Sequence, residues 1–199
     1  MRKAKRPENG FSLLEMWVVV GIMMTLLAFA IIQSFGSMES YRANAAMDMV
    51  ISQLRVARQL AISQRRNVRI TFSTASSPQT ITYTVMPDPG DTVTPTPVTV
   101  PIPNIVKFSG FTGEPDTPML FGTCGGNFGI CIAGVSGGPP GMYFNAVGQF
   151  TDNTYVNTLN GTVFMVIPNM PATARAVTIM GSTGRVRSYN YIGSSTWNQ

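Results

Sequence analysis

A chain of 199 residues has room for one ordinary core plus an appendage, and only 12% of its residues are charged. With 19 Gly and 14 Pro, the composition favours a loop-rich β domain over a helix bundle. There is no His, which removes the commonest general base and metal ligand. The net charge of +5 is largely local: Arg2, Lys3, Lys5 and Arg6 against Glu8 contribute +3, leaving a nearly neutral remainder.

That basic segment stands directly before an apolar run, in the layout of an export signal. No small-x-small cleavage site follows over residues 29–40, and residues 16–32 are apolar except for Gly21 and Thr25. A helix over 11–32 would span roughly 33 Å, enough to cross a bilayer core. The positive flank predicts a cytoplasmic N-terminus, with everything after the span outside. Glu15 then lies at the edge of hydrocarbon, where an ionised carboxylate costs a few kcal/mol and usually has a function. Cys124 and Cys131 bracket a Gly-rich loop, C-G-G-N-F-G-I-C. In an oxidising compartment they would close a disulfide contributing about 2–3 kcal/mol; two buried thiols are the alternative, and zinc lacks enough ligands.

The helical pattern continues past the span. Met47, Val50, Ile51, Leu54, Ala57 and Ala61 recur at three- and four-residue intervals, while Arg42, Asp48, Arg55, Gln59 and Arg66 fall largely off that stripe. The spacing predicts one helix over about 12–64, with a membrane half, an amphipathic half, and a point for a bend at Gly36. After Asn67 the period becomes two: Val68, Ile70 and Phe72 alternate with polar residues, as do Ile81, Tyr83 and Val85, predicting a first antiparallel pair around a turn at 76–79. The Pro-rich stretch 87–103 is an edge or loop. Short strands are expected at 105–108 and 119–121, the latter inside an irregular insertion over 110–140. Four more follow at 141–144, 163–167, 174–180 and 185–192. The fold class is α+β, a long helix packed on an antiparallel sheet. The divisions are a leader at 1–10, a transmembrane helix at 11–34, its amphipathic continuation at 35–66, and a β domain at 67–199.

The junction Gly10-Phe11-Ser12-Leu13-Leu14-Glu15, after its basic leader, resembles the type IV pilin class-III signal. The resemblance implies a pilin-like fold, a prepilin peptidase that cuts after Gly10, and methylation of the new N-terminal Phe11. It also implies assembly with other pilins or pseudopilins, from the bacterial inner membrane into a periplasmic or surface filament. Cutting would create an amine at Phe11 that Glu15 of a neighbouring helix can pair with. The alternative is an ordinary single-span anchor carrying an accidental Glu. The runs L-R-V-A-R-Q-L-A-I-S-Q-R-R-N-V-R-I-T-F (54–72) and A-V-T-I-M-G-S-T-G-R-V-R (176–187) are similar to GspH/FimT-type minor pilins and pseudopilins. The middle of the chain departs from that group.

The second run reads physically as a closing hairpin about G-S-T-G. Ile179 is expected opposite Val186 and Val177 opposite Ser188 on the core face. The other face then carries Arg185, Arg187, Tyr189 and Tyr191 opposite Thr178, Ala176 and Ala174. Aligned arginines continued by aromatics suit phosphate contact and base stacking. In FimT-type proteins a C-terminal Gly-Arg-x-Arg motif is associated with DNA binding, and here it is Gly184-Arg185-Val186-Arg187. The plainer reading is structural: the arginines pair with Asp152, Glu114 or a neighbouring subunit.

An enzyme is disfavoured. The acids are scattered, the Ser and Thr residues lie beside no evident base, and Asp88/Asp91 reads as a turn rather than a carboxylate dyad. No catalytic residue, metal site or cofactor is expected. The function expected is a minor pilin of a type IV pilus that primes or tips filament assembly, with DNA as a partner of the hairpin. A GspH-like pseudopilin of type II secretion is the alternative.

Overall fold

A computed structural model describes residues 12–87, 96–123, 129–133, 141–193 and 196–199, with the backbone alone described over 32–37. Gly10, Phe11, Cys124, Asp88 and Asp91 lie outside these residues. The chain divides into two compact units, Met1–Met38 and Glu39–Gln199.

One helix, α1 (Leu13–Gln64), runs through both and is unbroken at Gly36. In the first unit its segment Leu13–Ile31 is long and apolar enough to cross a membrane, and none of its residues is buried. In the second unit it buries the stripe foreseen from the spacing, Met47, Val50, Ile51, Leu54, Ala57 and Ala61, and with it Ala46, all at most 7% exposed. Repeats of three and four residues bring these side chains onto one face of the helix.

That face packs against two antiparallel sheets rather than one. The first, in order β3-β2-β1-β5-β6, comprises Val98–Pro101, Thr80–Val85, Val68–Ser73, Met142–Phe144 and Phe150–Thr151. The second, in order β10-β9-β8-β7-β4, comprises Thr196–Asn198, Arg185–Gly193, Met170–Met180, Gly161–Ile167 and Ile130–Ile132. Val68 and Ile70 from the first sheet and Val163, Met165, Val177 and Ile179 from the second enclose the helix stripe in one core. The β1/β2 pair and the edge position of the Pro-rich segment agree with the alternation in the sequence.

Two expected strands are absent. Residues 105–108 contribute one isolated bridge, Lys107 to Val166, although Val106 and Phe108 are buried. Their apolarity serves the core without laddering. Residues 119–121 form a turn in which the Leu120 N–H donates to the Thr117 carbonyl, with Leu120 at φ 54° and 78% exposed.

In the second sheet, β7 and residues 173–179 of β8 are buried on both faces. Every residue of β7 is buried, as its G-T-V-F-M-V-I sequence suits. Its outer face carries a second cluster of Cys131, Phe164, Val166, Ala174, Ala176, Tyr189 and Trp197, against which Phe111, Met119 and Tyr191 pack.

The β8–β9 turn is fixed by a close approach to α1. Gly184 has φ 62°, and a β-carbon there would run into the Gly148 carbonyl oxygen and lie 2.8 Å from Arg58 Nε. Arg58 Nε donates to that same carbonyl at 3.1 Å, joining helix, β5–β6 turn and hairpin at one point. A non-Gly residue in this left-handed conformation costs about 1–3 kcal/mol before any clash. Gly184→Ala is therefore expected to lower unfolding stability by at least that much, measured by denaturant titration of the detergent-solubilised chain. A wild-type midpoint would show that the turn tolerates a β-carbon.

Candidate anion-binding groove

Glu15 lies in the first turn of α1 and is exposed, as are its neighbours Leu13, Leu14, Met16 and Trp17. Among the described residues, no side chain bonds it.

The hairpin register is the one its sequence predicts. Ile179 faces Val186, Val177 faces Ser188, Thr178 faces Arg187 and Ala176 faces Tyr189. The outer face is nevertheless not an open stripe. Tyr189 is 2% exposed. The Tyr191 ring lies 4.9 Å from that of Phe111 and 5.4 Å from that of Trp197. The Trp197 indole N–H donates to the Pro115 carbonyl at 2.9 Å, fastening the insertion over both tyrosines. Neither ring is placed to stack on a base. This corrects the reading of the stripe as a binding face: the first part of the insertion covers it.

The two arginines fare differently. Strand β10 pairs only with Asn190, Tyr191 and Gly193 among the described residues, so the 185–188 end of β9 is left as an edge. A groove of about 780 Å³ opens there, lined by Arg55, Arg58 and Gln59 of α1 and by Thr183, Arg185, Arg187 and Ser188 of the hairpin. No Asp or Glu side chain lines it. Arg55 and Arg185 are exposed, whereas Arg58 and Arg187 are half-buried. Arg187 Nε is buried without a hydrogen-bond partner, and its Nη1 meets only the Met119 thioether, at 3.8 Å.

The acids proposed as structural partners are engaged elsewhere. Asp152 accepts bonds from Thr154 and Asn157 within its own turn, and Glu114 Oε2 accepts the Phe111 N–H at 3.1 Å. A third arginine of the C-terminal region, Arg175, is removed from any ligand. It is 6% exposed, with Nε on Asn44 Oδ1 at 2.6 Å and Nη1 on the Ala174 carbonyl at 2.8 Å. Burial pulls its pKa down. Sequence reasoning missed Arg55 and Arg58 as members of the groove. Their spacing of three puts them on one side of α1, but their partners lie some 130 residues away, where periodicity carries no signal.

Cys131 is disulfide-bonded and sits in the second core cluster. Among the described residues no group of three His, Cys, Asp or Glu side chains is placed to hold a metal.

No family model and no curated protein matches the chain. Among solved structures it is similar to the minor pseudopilin EpsH from the type 2 secretion system of Vibrio cholerae, at 10% identity, covering 75% of this chain and 97% of that one, with a TM-score of 0.45.

Among the described residues of the insertion, Glu114 makes a pH-sensitive contact. Burial, and secondarily the charge of Asp116, push the Glu114 carboxyl up from 4.5 to about 7, against the opposing Phe111 hydrogen bond. Its Oε1 is buried without a partner, which favours the protonated form. Because the folded pKa is the higher one, this stabilisation is complete below about 4.5 and is lost as pH rises through about 7. The melting temperature is therefore expected to fall between pH 5 and pH 8, with Glu114→Gln flattening that dependence in scanning fluorimetry. An equally steep fall in the variant would place the titrating group elsewhere.

Proposed function

We propose that the chain is a pilin-like filament subunit, anchored by α1 before assembly, which acts as a minor pilin of a type IV pilus and contacts DNA through the Gly184–Arg187 edge. The observation that carries the reading is the helix itself. Its first 19 residues, Leu13–Ile31, are apolar and uncovered, yet a carboxylate is retained at Glu15. The same helix continues as the central core element of a folded β domain.

A carboxylate at the hydrocarbon boundary is costly unless paired. Cutting between Gly10 and Phe11 supplies an α-amine four residues before Glu15, and an amine on one subunit satisfies the acid on the next. Removing one partner of such a desolvated pair costs about 3–5 kcal/mol, enough to fix the register of stacked helices. The uncovered apolar surface then has two acceptable environments, bilayer and filament core, and moves from one to the other on assembly.

The DNA assignment is supported by Arg185 and Arg187 at a strand edge where no Asp or Glu side chain lines the groove. Its reach is limited, since two cations alone bind polyanions weakly and in a salt-sensitive way.

Glu15→Ala is expected to be cleaved normally but to reduce the filament-associated fraction at least about ten-fold, since only about 1.4 kcal/mol gives that factor. Incorporation at the wild-type level would remove the pairing mechanism. For the ligand, Arg185→Gln/Arg187→Gln should abolish measurable DNA binding by the detergent-solubilised chain. Unchanged affinity would end the DNA reading and leave the filament reading standing.

A further inference from the structure

Segment 111–122 lies over the outer face of the second sheet, yet very little joins it to that sheet. The Trp197 indole N–H donates to the Pro115 carbonyl at 2.9 Å, and Arg187 Nη1 meets the Met119 thioether at 3.8 Å. Among the described residues, no backbone hydrogen bond runs from 111–122 to either sheet. The segment's other bonds are internal. Glu114 accepts the Phe111 N–H, Asp116 accepts the Gly122 N–H, and the Thr117 carbonyl accepts the Leu120 N–H. A piece that satisfies its backbone from within can leave a surface without breaking a ladder.

The seam beneath it is also poorly satisfied. Four buried side-chain atoms lack a hydrogen-bond partner among the described residues: Glu114 Oε1, Thr117 Oγ1, Thr162 Oγ1 and Arg187 Nε. Three of the four belong to the segment or to the side chain that Met119 touches. Thr162 shares the outer face with Arg187, both standing opposite Thr178. None of the four belongs to the core around α1. Buried polar groups are nearly always paired, and each exception favours a state in which water reaches it.

We infer that segment 111–122 is an autoinhibitory flap that withholds the Arg187 guanidinium from DNA and releases it when the segment swings off β9. This rests on DNA as the ligand of the Arg185–Arg187 edge, and it adds regulation to that reading. Arg185 is exposed and makes the resting contact; Arg187, half-buried under Met119, is held in reserve.

Glu114 gives the flap a proton-controlled latch. Its carboxyl packs against Gly110, where a β-carbon would run into Oε2, and its Oε1 is enclosed without a donor. Within the segment, Asp116 is the charge that acts on it. Lys107 flanks residues 110–112 in a hollow at the segment's start, and Arg187, Tyr189 and Tyr191 of β9 lie below. Burial holds the Glu114 carboxyl at about 7 in the closed flap, above its ordinary 4.5. Stabilisation of the closed flap is therefore complete below about 4.5 and is lost as pH rises through about 7. Ionisation favours release, because solvent then reaches the second oxygen.

The experiment pairs duplex DNA binding by fluorescence anisotropy with hydrogen–deuterium exchange, both on the full detergent-solubilised chain. Trp197→Phe removes the indole donor but keeps a ring, and Gly110→Ala displaces the Glu114 carboxyl. Both should raise exchange over 111–122. Each should also tighten duplex binding roughly five- to tenfold at 0.1 M salt and steepen the salt slope by about 0.9, one added phosphate contact. Arg187→Gln in either background should erase that gain. From pH 5 to pH 8 the wild-type affinity should rise by up to the same factor, while Glu114→Gln stays at the pH 5 value. Ordinary carboxylate ionisation has the opposite sign, since added negative charge weakens attraction to a polyanion. Raised exchange with unchanged affinity, in a chain whose binding still needs Arg185, would refute the flap's control and leave the DNA reading standing. Exchange over 111–122 that neither variant raises would refute it as well. A chain that binds no duplex in any of these forms would overturn both.

Discussion

Everything in the globular unit depends on a single buried stripe of α1. From Ala46 to Ala61 that stripe is the surface on which two five-stranded sheets converge, so helix and sheets share one core. Hydrophobic burial is non-directional and does not by itself select a register. Register is selected where polar or close contacts intervene. Arg58 bonds the Gly148 carbonyl, and Gly184 allows the hairpin turn to approach both. At the other end of the inner face of β8, Arg175 reaches Asn44 of the helix. These two guanidinium contacts pin the hairpin to α1 at both ends.

The groove is a consequence of that arrangement. Docking the turn against Arg58 brings the arginine edge of β9 beside the polar flank of the helix. Because β10 stops short of residues 185–188, nothing in the second sheet covers that edge. Farther along β9, Tyr189 and Tyr191 are packed over, and would otherwise leave a large aromatic surface in water. Phe111, Met119 and Pro115 supply the cover, at the cost of leaving Glu114 Oε1 and Thr117 Oγ1 buried and unpartnered. An irregular segment lacks the ladder hydrogen bonds with which a strand would satisfy its own backbone, and it substitutes side-chain acceptors such as Asp116 on the Gly122 N–H.

The sequence was most legible where one physical rule acted alone. The helix was foreseen almost to its ends because apolar spacing and the lack of Pro both point the same way, and β1 and β2 because buried and exposed residues alternate. The β8–β9 register followed from G-S-T-G, which leaves few pairings open. Legibility failed where tertiary covering decides exposure. Arg187 and Tyr189 alternate with Val186 and Ser188 as they would on a strand with one wet face, and nothing local announces the insertion that packs above them. The largely apolar residues 105–108, I-V-K-F, look like a strand, yet Val106 and Phe108 fill the core from irregular backbone. Arg55 and Arg58 look like solvated helix positions until the hairpin is placed beside them.

The most direct test of the account concerns the amine that Glu15 is held to await. Intact-mass and N-terminal peptide analysis of the chain recovered from sheared filaments should show Phe11 as the first residue, carrying one added methyl group, with residues 1–10 gone. Filament-associated chain that begins at Met1, or is cut at any other bond, would leave Glu15 without its partner and contradict the account.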